Sequence, residues 1–481
     1  MPLDRIGLAG TVLALALIAN GPVRAAPSDF TASALLRDSV AQQGLMRHVE
    51  ALQAIADRSG GNRAAGTEGY DRSADYVART LRAAGYAVTE QEFTFPHFAE
   101  TAPPVLARVG EGDALSHVAR TRTMRNSGSG TVEAPLVPVA LGLDGSSPST
   151  SASGCAPSDF AGFETGSIAL LRRGTCSFTT KVENAAAAGA AGVVVMNAGT
   201  GDATGPFGGQ LAKPAAIPAV AIPFDAGAAL ADAGPIRVRL SVSAEARTIA
   251  TRNVIADLPG TDGGRVVLAG AHLDGVPEGP GINDNASGTA AVLEAAVRLA
   301  QLDAPPRRTV RFAFWGAEEL GLLGSRHYVD TLPAEELARI EAVLNFDMLG
   351  SVNGVPLVYD GDGSSEGPAA PDGSAGIERM FRDYFAAAGE EVKEISYGGS
   401  SDHASFAARG IPVGGLYTGS MEVKSAESAE RWGGTAGQPL DPCYHEACDD
   451  TGNVDAALLD RMADAAAHGV LTLARRAMPA G

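Results

Sequence analysis

Arg265-Val266-Val267-Leu268-Ala269-Gly270-Ala271-His272-Leu273-Asp274 is an apolar run that stops at an imidazole and a carboxylate. Residues 265–271 read as a strand, and His272 falls at its carboxyl end. Outward from it, strand patterns at 253–258, 310–315, 342–346 and 413–417 alternate with helix patterns at 287–302, 319–329, 376–388 and 454–474. Alternating strands and helices imply an α/β architecture with helices on both faces of a sheet. Ligands in such folds sit at the carboxyl ends of the strands, and the chemically unusual residues of this chain gather there.

The 481 residues favour two domains, and 45% hydrophobic with 19% charged residues argue against a disordered chain. Lys and Arg number 37 against 56 Asp and Glu, a net charge of −19. That charge repels polyanions, so nucleic acid and anionic membrane surfaces are poor candidates and no partner of either kind is expected. Arg5 precedes an apolar run over residues 6–19, followed by Asn20-Gly21-Pro22 and Val23-Arg24-Ala25. This is the layout of a signal peptide cleaved near Ala25. The run is shorter than the about 20 residues that span a bilayer, so the mature chain is expected to be secreted or periplasmic, with no membrane span. The four cysteines are expected to pair locally, Cys155 with Cys176 and Cys443 with Cys448, because a domain boundary separates the two pairs. A thiolate metal site is the rival reading. Neither spacing is C-x-x-C, and an oxidising compartment favours disulfides.

Residues 34–58 and 68–84 read as helices, the second opened by Thr67-Glu68-Gly69-Tyr70 and closed by Gly85. Residues 86–95 alternate like a strand. From about Thr101 the texture changes: residues 126–154 are rich in Gly, Ser and Pro, apolar strands follow at 167–171, 192–196, 217–222 and 236–242, and an Ala-rich helix at 181–191. The stretches Ala169-Leu170-Leu171-Arg172-Arg173-Gly174-Thr175-Cys176-Ser177-Phe178 and Ala187-Ala188-Gly189-Ala190-Ala191-Gly192-Val193-Val194-Val195 resemble the protease-associated domain. The expected division is a signal peptide over 1–25, an insert of that kind over 104–245, and a second domain made of 26–103 and 246–481.

Five short blocks carry candidate chemistry: His272-Leu273-Asp274, Asn283-Asp284, Gly316-Ala317-Glu318-Glu319, Asn345-Phe346-Asp347-Met348 and Cys443-Tyr444-His445. Two histidines and three carboxylates from several strand ends suit Zn²⁺, and a shared carboxylate can bridge two ions. Taken singly, each residue has a bland reading. A strand-end Asp is commonly a cap, and a Glu-Glu pair fits the start of a helix. His48, His97, His117, His327 and His468 are read as solvated or core histidines.

In order, the five blocks resemble the secreted bacterial di-zinc aminopeptidase family, over residues 34–103 and 246–476. The resemblance implies a three-layer α/β/α zinc-exopeptidase domain with a mixed central sheet, interrupted by the smaller protease-associated α/β insert. It implies two Zn²⁺ per chain. His272 and Asp347 would hold one ion, Glu319 and His445 the other, and Asp284 would bridge them. Glu318 would be the general base and Tyr444 a hydrogen-bond donor to the developing oxyanion. Asp274, two residues past His272, is expected to meet the other imidazole nitrogen. Asp402, in Ser400-Ser401-Asp402-His403, is expected to support the site from outside, with His403 structural. Met348 and Tyr417 are expected to line the substrate pocket. The implied activity is removal of the N-terminal residue from peptides or proteins. A metallocarboxypeptidase of the same fold would need cationic residues for a substrate carboxylate, and an inactive peptide-binding relative would have lost ligands or base. A glutaminyl-cyclase-like relative would work with one zinc.

Overall fold

Val266–His272 forms the middle strand of the sheet, buried along its whole length. It pairs in parallel with Thr309–Trp315 on one side and with Ile340–Phe346 on the other. Val413–Tyr417 continues the sheet in parallel beyond Ile340–Phe346. Leu357–Asp360 then joins antiparallel, followed in parallel by Lys393–Ser396. On the opposite flank Thr309–Trp315 meets the end of Arg237–Leu258 antiparallel. The sheet is therefore mixed. The computed structural model describes residues 29–475 apart from 111–113, 144–150, 202, 263, 304 and 366, so the expected signal peptide lies outside the described residues.

Side chains alternate across a strand, and the two faces of this sheet bury different helices. Val267, Ala269, Ala271, Phe312, Phe314, Leu344 and Phe346 share one apolar core with the helices Gln42–Asp57, Glu68–Ala83, Gly288–Leu299, Ser374–Ala388 and Ala456–Arg475. Val266, Leu268, Ala313, Trp315 and Val413 pack instead with Tyr328, Val329 and Phe406, from Leu323–Thr331 and His403–Ala407. Each such buried Val, Leu or Phe contributes about 1.5–3 kcal/mol. In Glu68–Ala83, Thr67 caps the first turn by accepting the Tyr70 N–H, and Tyr70, Ala74, Val77, Ala78 and Leu81 form the buried stripe.

The described residues up to Phe93 and from Thr251 onward make one compact unit, and Thr94–Ala250 make another. The chain passes between them within Ala87–Val109 and again within Arg237–Leu258. In the second unit Gly130–Pro138, Ile168–Arg172, Gly192–Met196 and Ala219–Ile222 lie side by side in parallel. An apolar core lies on each face of that small sheet. Cys155 is bonded to Cys176 and Cys443 to Cys448, the local pairing expected from the sequence. No helix among the described residues is long and apolar enough to cross a membrane.

Three elements depart from their sequence reading. The helix expected over 34–58 is two helices, Asp29–Arg37 and Gln42–Asp57. The Ser39 hydroxyl donates to Leu36 O at 2.6 Å, and Ala41 is extended, a local bond that competes with helix continuation. The strand at 86–95 runs on to Val109. The helix expected from Glu319 starts only at Leu323. Ala317, Gly321 and Leu322 all have left-handed backbones, and the chain doubles back through N–H bonds from Gly321 and Leu322 to Glu318 O. The paired carboxylates thus sit on a strand-end loop and not on a helix.

Candidate metal centre

Three parallel strands deliver the first residues of the centre to one rim of the sheet. His272 ends Val266–His272, Glu318 and Glu319 follow Thr309–Trp315, and Asp347 follows Ile340–Phe346. Asp284 comes from the segment before Gly288–Leu299. Gly288 lets that helix approach the Asp347 strand, since a Cβ there would lie 2.3 Å from Phe346 O. Asn285 stitches the two segments together: its Nδ2 donates to Phe346 O at 3.0 Å, and its Oδ1 accepts the N–H of Gly288 and of Met348. His445 arrives on the loop closed by Cys443 and Cys448.

The structure brings the five expected ligands together. His272 Nε2 lies 3.2 Å from Asp284 Oδ1 and 3.2 Å from Asp347 Oδ1. His445 Nε2 lies 3.2 Å from Asp284 Oδ2 and 3.1 Å from Glu319 Oε2. Two groups able to hold a metal ion, His272–Asp284–Asp347 and Asp284–Glu319–His445, therefore share Asp284. A third grouping, His272–Glu318–Glu319, overlaps them.

The donor chemistry calls for a cation. His272 Nδ1 lies 3.1 Å from the backbone carbonyl of Asp274, a contact that an N–H makes. The neutral ring then presents its Nε2 lone pair to two carboxylate oxygens, which is repulsive unless a proton or a metal ion sits among them. His445 Nε2 and Glu319 Oε1 are buried yet make no hydrogen bond of acceptable geometry. Burial opposes protonation of both rings, but the surrounding carboxylates outweigh it. They hold His272 well above the usual imidazole range and raise His445 to about 10. Burial also opposes ionisation of Asp284, yet its two imidazoles keep it well below the usual carboxylate range. Burial and Asp284 together raise Glu319 to about 7. Two imidazole nitrogens and three carboxylates at these separations fit Zn²⁺ in its N/O coordination.

The supporting residues include several without a sequence signal. The Asp274 carboxylate accepts the N–H of Glu318 at 3.0 Å and of Glu319 at 3.3 Å. It is thus the Asp274 carbonyl, and not its carboxylate as expected, that makes the close contact with the His272 ring. The carboxylate stays 3.9 Å from Nδ1. Asp449 accepts the N–H of Asn283 and of Asp284. Arg63, fully buried, donates to the carbonyls of Leu273, Pro280 and Gly281. Ser401 donates to Asp347 Oδ2 at 2.7 Å. Asp402, next to it, is buried, with both oxygens lacking a hydrogen bond of acceptable geometry, and is pushed up to about 7 by burial. His403 Nε2 meets Tyr397 O, and its ring lies on Tyr359 with centroids 4.8 Å apart. Asp274, Ser401 and Asp402 lie in stretches singled out from the sequence, whereas Arg63 and Asp449 had no local cue.

Glu318 is buried beside the cluster, and burial together with Asp402, Asp347 and Glu319 pushes its carboxyl well above the usual range. Ala317, Met348 and His445 have left-handed φ values of 58°, 51° and 61°, a strain of about 1–3 kcal/mol each that the surrounding packing must hold. The Tyr444 ring stacks on His445 with centroids 3.8 Å apart. Met348, Tyr417 and Tyr444 line a cleft of about 410 Å³ that also contains His272, Asp284, Glu318, Glu319 and Asp347. No Lys or Arg is among the described residues lining it.

A three-layer α/β/α domain with such a cluster at the strand ends is the build of a metal-dependent hydrolase. The family model "Peptidase family M28" matches residues 253–470, and the PA domain model matches residues 132–230. An aminopeptidase of Pseudomonas aeruginosa is 44% identical over 427 residues, covering 88% of this chain and 79% of that one. The probable lipoprotein aminopeptidase LpqL of Mycobacterium tuberculosis is 40% identical, covering 92% of this chain and 86% of that one. Among solved structures, the aminopeptidase of Aneurinibacillus sp. strain AM-1 superposes with a TM-score of 0.70 at 26% identity, covering 93% of this chain and 97% of that one. The zinc aminopeptidase BSAP of Bacillus subtilis gives 0.61 at 26% identity, covering 91% and 96%. The chain belongs to peptidase family M28 and carries a PA domain.

Proposed function

We propose that this M28 peptidase is an exported aminopeptidase that works with two zinc ions. Zinc-dependent aminopeptidase activity is the reading that its relatives support. One observation carries the two-ion reading: the two oxygens of Asp284 face different imidazoles, each at 3.2 Å. His272 and Asp347 would hold one ion and Glu319 and His445 the other, with Asp284 shared between them. Zinc held there would supply a water that ionises near neutral pH and would itself polarise the scissile carbonyl.

The chain's own groups do the rest. Glu318, buried in the cleft with a raised proton affinity, takes the proton of the attacking water and returns it to the leaving amine. Burial, reinforced by Asp284 and Glu319, keeps the Tyr444 phenol protonated, so it is a donor for the oxyanion. A free α-ammonium is attracted by the carboxylates of the cleft. A substrate carboxylate finds no Lys or Arg among the described lining residues, which favours an aminopeptidase over a carboxypeptidase. The two disulfides fit an oxidising compartment, and the leader over residues 1–25 is taken as the export signal. The insert, assigned to 104–245, contributes no ligand in this scheme.

The test is zinc analysis of the purified protein, with hydrolysis of leucine anilide and of its α-N-acetyl form. Two zincs per chain and cleavage of the free amine alone are expected. Efficient cleavage of the acetylated form would point to another peptidase class, and one zinc at full activity would remove the bridging role of Asp284.

A further inference from the structure

At the sheet edge Tyr359 pairs with Ile395, and Leu357 pairs with Tyr417. Alternation along the strands puts Leu357, Tyr359, Ile395 and Tyr417 on one face. Tyr359, Ile395 and Tyr417 line the cleft of the metal centre. The lining continues through Ile395, Ser396 and Glu422 into a second hollow of about 310 Å³, walled by Val355, Leu357 and Leu440 and bordered also by Lys393, Glu394 and Lys424. A groove with an aromatic and aliphatic floor thus leads away from the reacting centre.

Glu422 borders both hollows. Its Oε2 accepts the N–H of Ser420 at 2.7 Å and the Ser420 hydroxyl at 3.2 Å, bonds that orient the carboxylate. It has no ion-pair partner among the described residues. The nearby Lys424 gives its ammonium to Gly354 O at 3.1 Å instead. An apolar floor with an unpaired carboxylate on its border matches a side chain that has a long aliphatic stem and a cationic head. The acidic net charge of the chain adds attraction for such substrates at a distance.

We infer that Glu422 is a specificity-determining residue that favours peptides with Lys or Arg at the N-terminus and disfavours Asp or Glu there. The inference rests on the aminopeptidase reading. The cationic head meets Glu422 while the stem lies over Tyr359, Ile395 and Tyr417. The experiment compares kcat/KM for lysine, leucine and glutamate anilides in the zinc-loaded enzyme and in Glu422→Gln, Glu422→Asp and Glu422→Lys. The lysine-to-leucine ratio is expected to fall about two- to fivefold in Glu422→Gln, the scale of one solvent-accessible charged contact. Most of the ratio should return in Glu422→Asp, and Glu422→Lys should gain on the glutamate substrate. Added salt should raise KM for the lysine substrate more than for leucine. A lysine-to-leucine ratio unchanged in Glu422→Gln overturns the assignment of Glu422. Absence of cleavage of all three anilides by the zinc-loaded enzyme overturns the aminopeptidase reading itself.

Discussion

The carboxylate of Asp274 accepts the backbone N–H of Glu318 at 3.0 Å. The same carboxylate takes the N–H of Glu319, so one buried side chain fixes the backbone of both the proposed base and a proposed ligand. Asp274→Ala would leave two buried N–H groups unpaired, a cost of about 1–3 kcal/mol for each. It should also lower kcat about 10–100-fold and weaken zinc binding, as loss of such supports does. Asp274→Asn, which keeps one acceptor, should fall in between. Wild-type kcat and zinc affinity in the alanine variant would show that the loop holds itself.

Glu318→Gln should keep near-normal zinc content while losing about 10²–10⁴-fold in kcat, the range for removal of a general base. The shape is retained and the proton acceptor is lost. Metal analysis and turnover on the same preparation decide the matter. A variant that keeps turnover excludes Glu318 as the base, and one that loses zinc makes it a ligand.

The two disulfides should differ in what they support. Cys443–Cys448 spans 5 residues and Cys155–Cys176 spans 21, so loop entropy favours the longer one by about 1 kcal/mol. The short loop carries Tyr444 and His445, and its base is also tied by Asp441, which accepts from Cys443 N and Asn453 Nδ2. Replacing Cys443 and Cys448 with Ser should therefore lower turnover and zinc affinity while moving Tm little. Replacing Cys155 and Cys176 should lower Tm and spare turnover. Full activity in the first double variant would refute this account of the loop.

His468, buried on Ala456–Arg475 with Nδ1 2.8 Å from Ser33 Oγ, is depressed to about 4 by burial and by Arg37. Its folded value lies below the ordinary 6.5, so the unfolded chain takes up the proton first. The stability due to the neutral ring is complete above about pH 6.5 and is lost as pH falls toward 4, by at most about 3 kcal/mol. Asp464 on the same helix is raised to about 7 by burial. It acts oppositely, contributing stability below its ordinary 3.8 that is lost as pH rises to 7. The comparison must therefore be between proteins at each pH. His468→Gln should cost more Tm at pH 7 than at pH 4.5. An equal cost at both values would mean that the ring is not held neutral.

The candidate ligand set was legible in part because His272, Glu319 and Asp347 end or follow strands readable as apolar runs such as Val266–Ala271, while Asp284 and His445 sit in short blocks outside any strand. The PA insert was legible because the stretches 169–178 and 187–195 resemble that domain. The helix start at Leu323 was not, because the left-handed turn at Ala317, Gly321 and Leu322 is made by non-local contacts of the Glu318 loop with Asp274. Arg63 and Asp449 gave no local cue, since each acts on residues far along the chain.

The sequence by itself determined the alternation of strands and helices, the order of the five blocks and the local pairing of the cysteines, because periodicity, turn residues and spacing are local properties. Which oxygen faces which imidazole was decided only by the tertiary structure. Asp284, His272 and His445 are separated by up to 173 residues (445 − 272), and a contact of 3.2 Å across that separation exists only after the sheet has brought its strand ends to one rim. The backbone-holding role of Asp274 was decided there too, since whether a carboxylate meets a ring nitrogen or two backbone N–H groups depends on the path of a neighbouring strand that the local sequence does not encode.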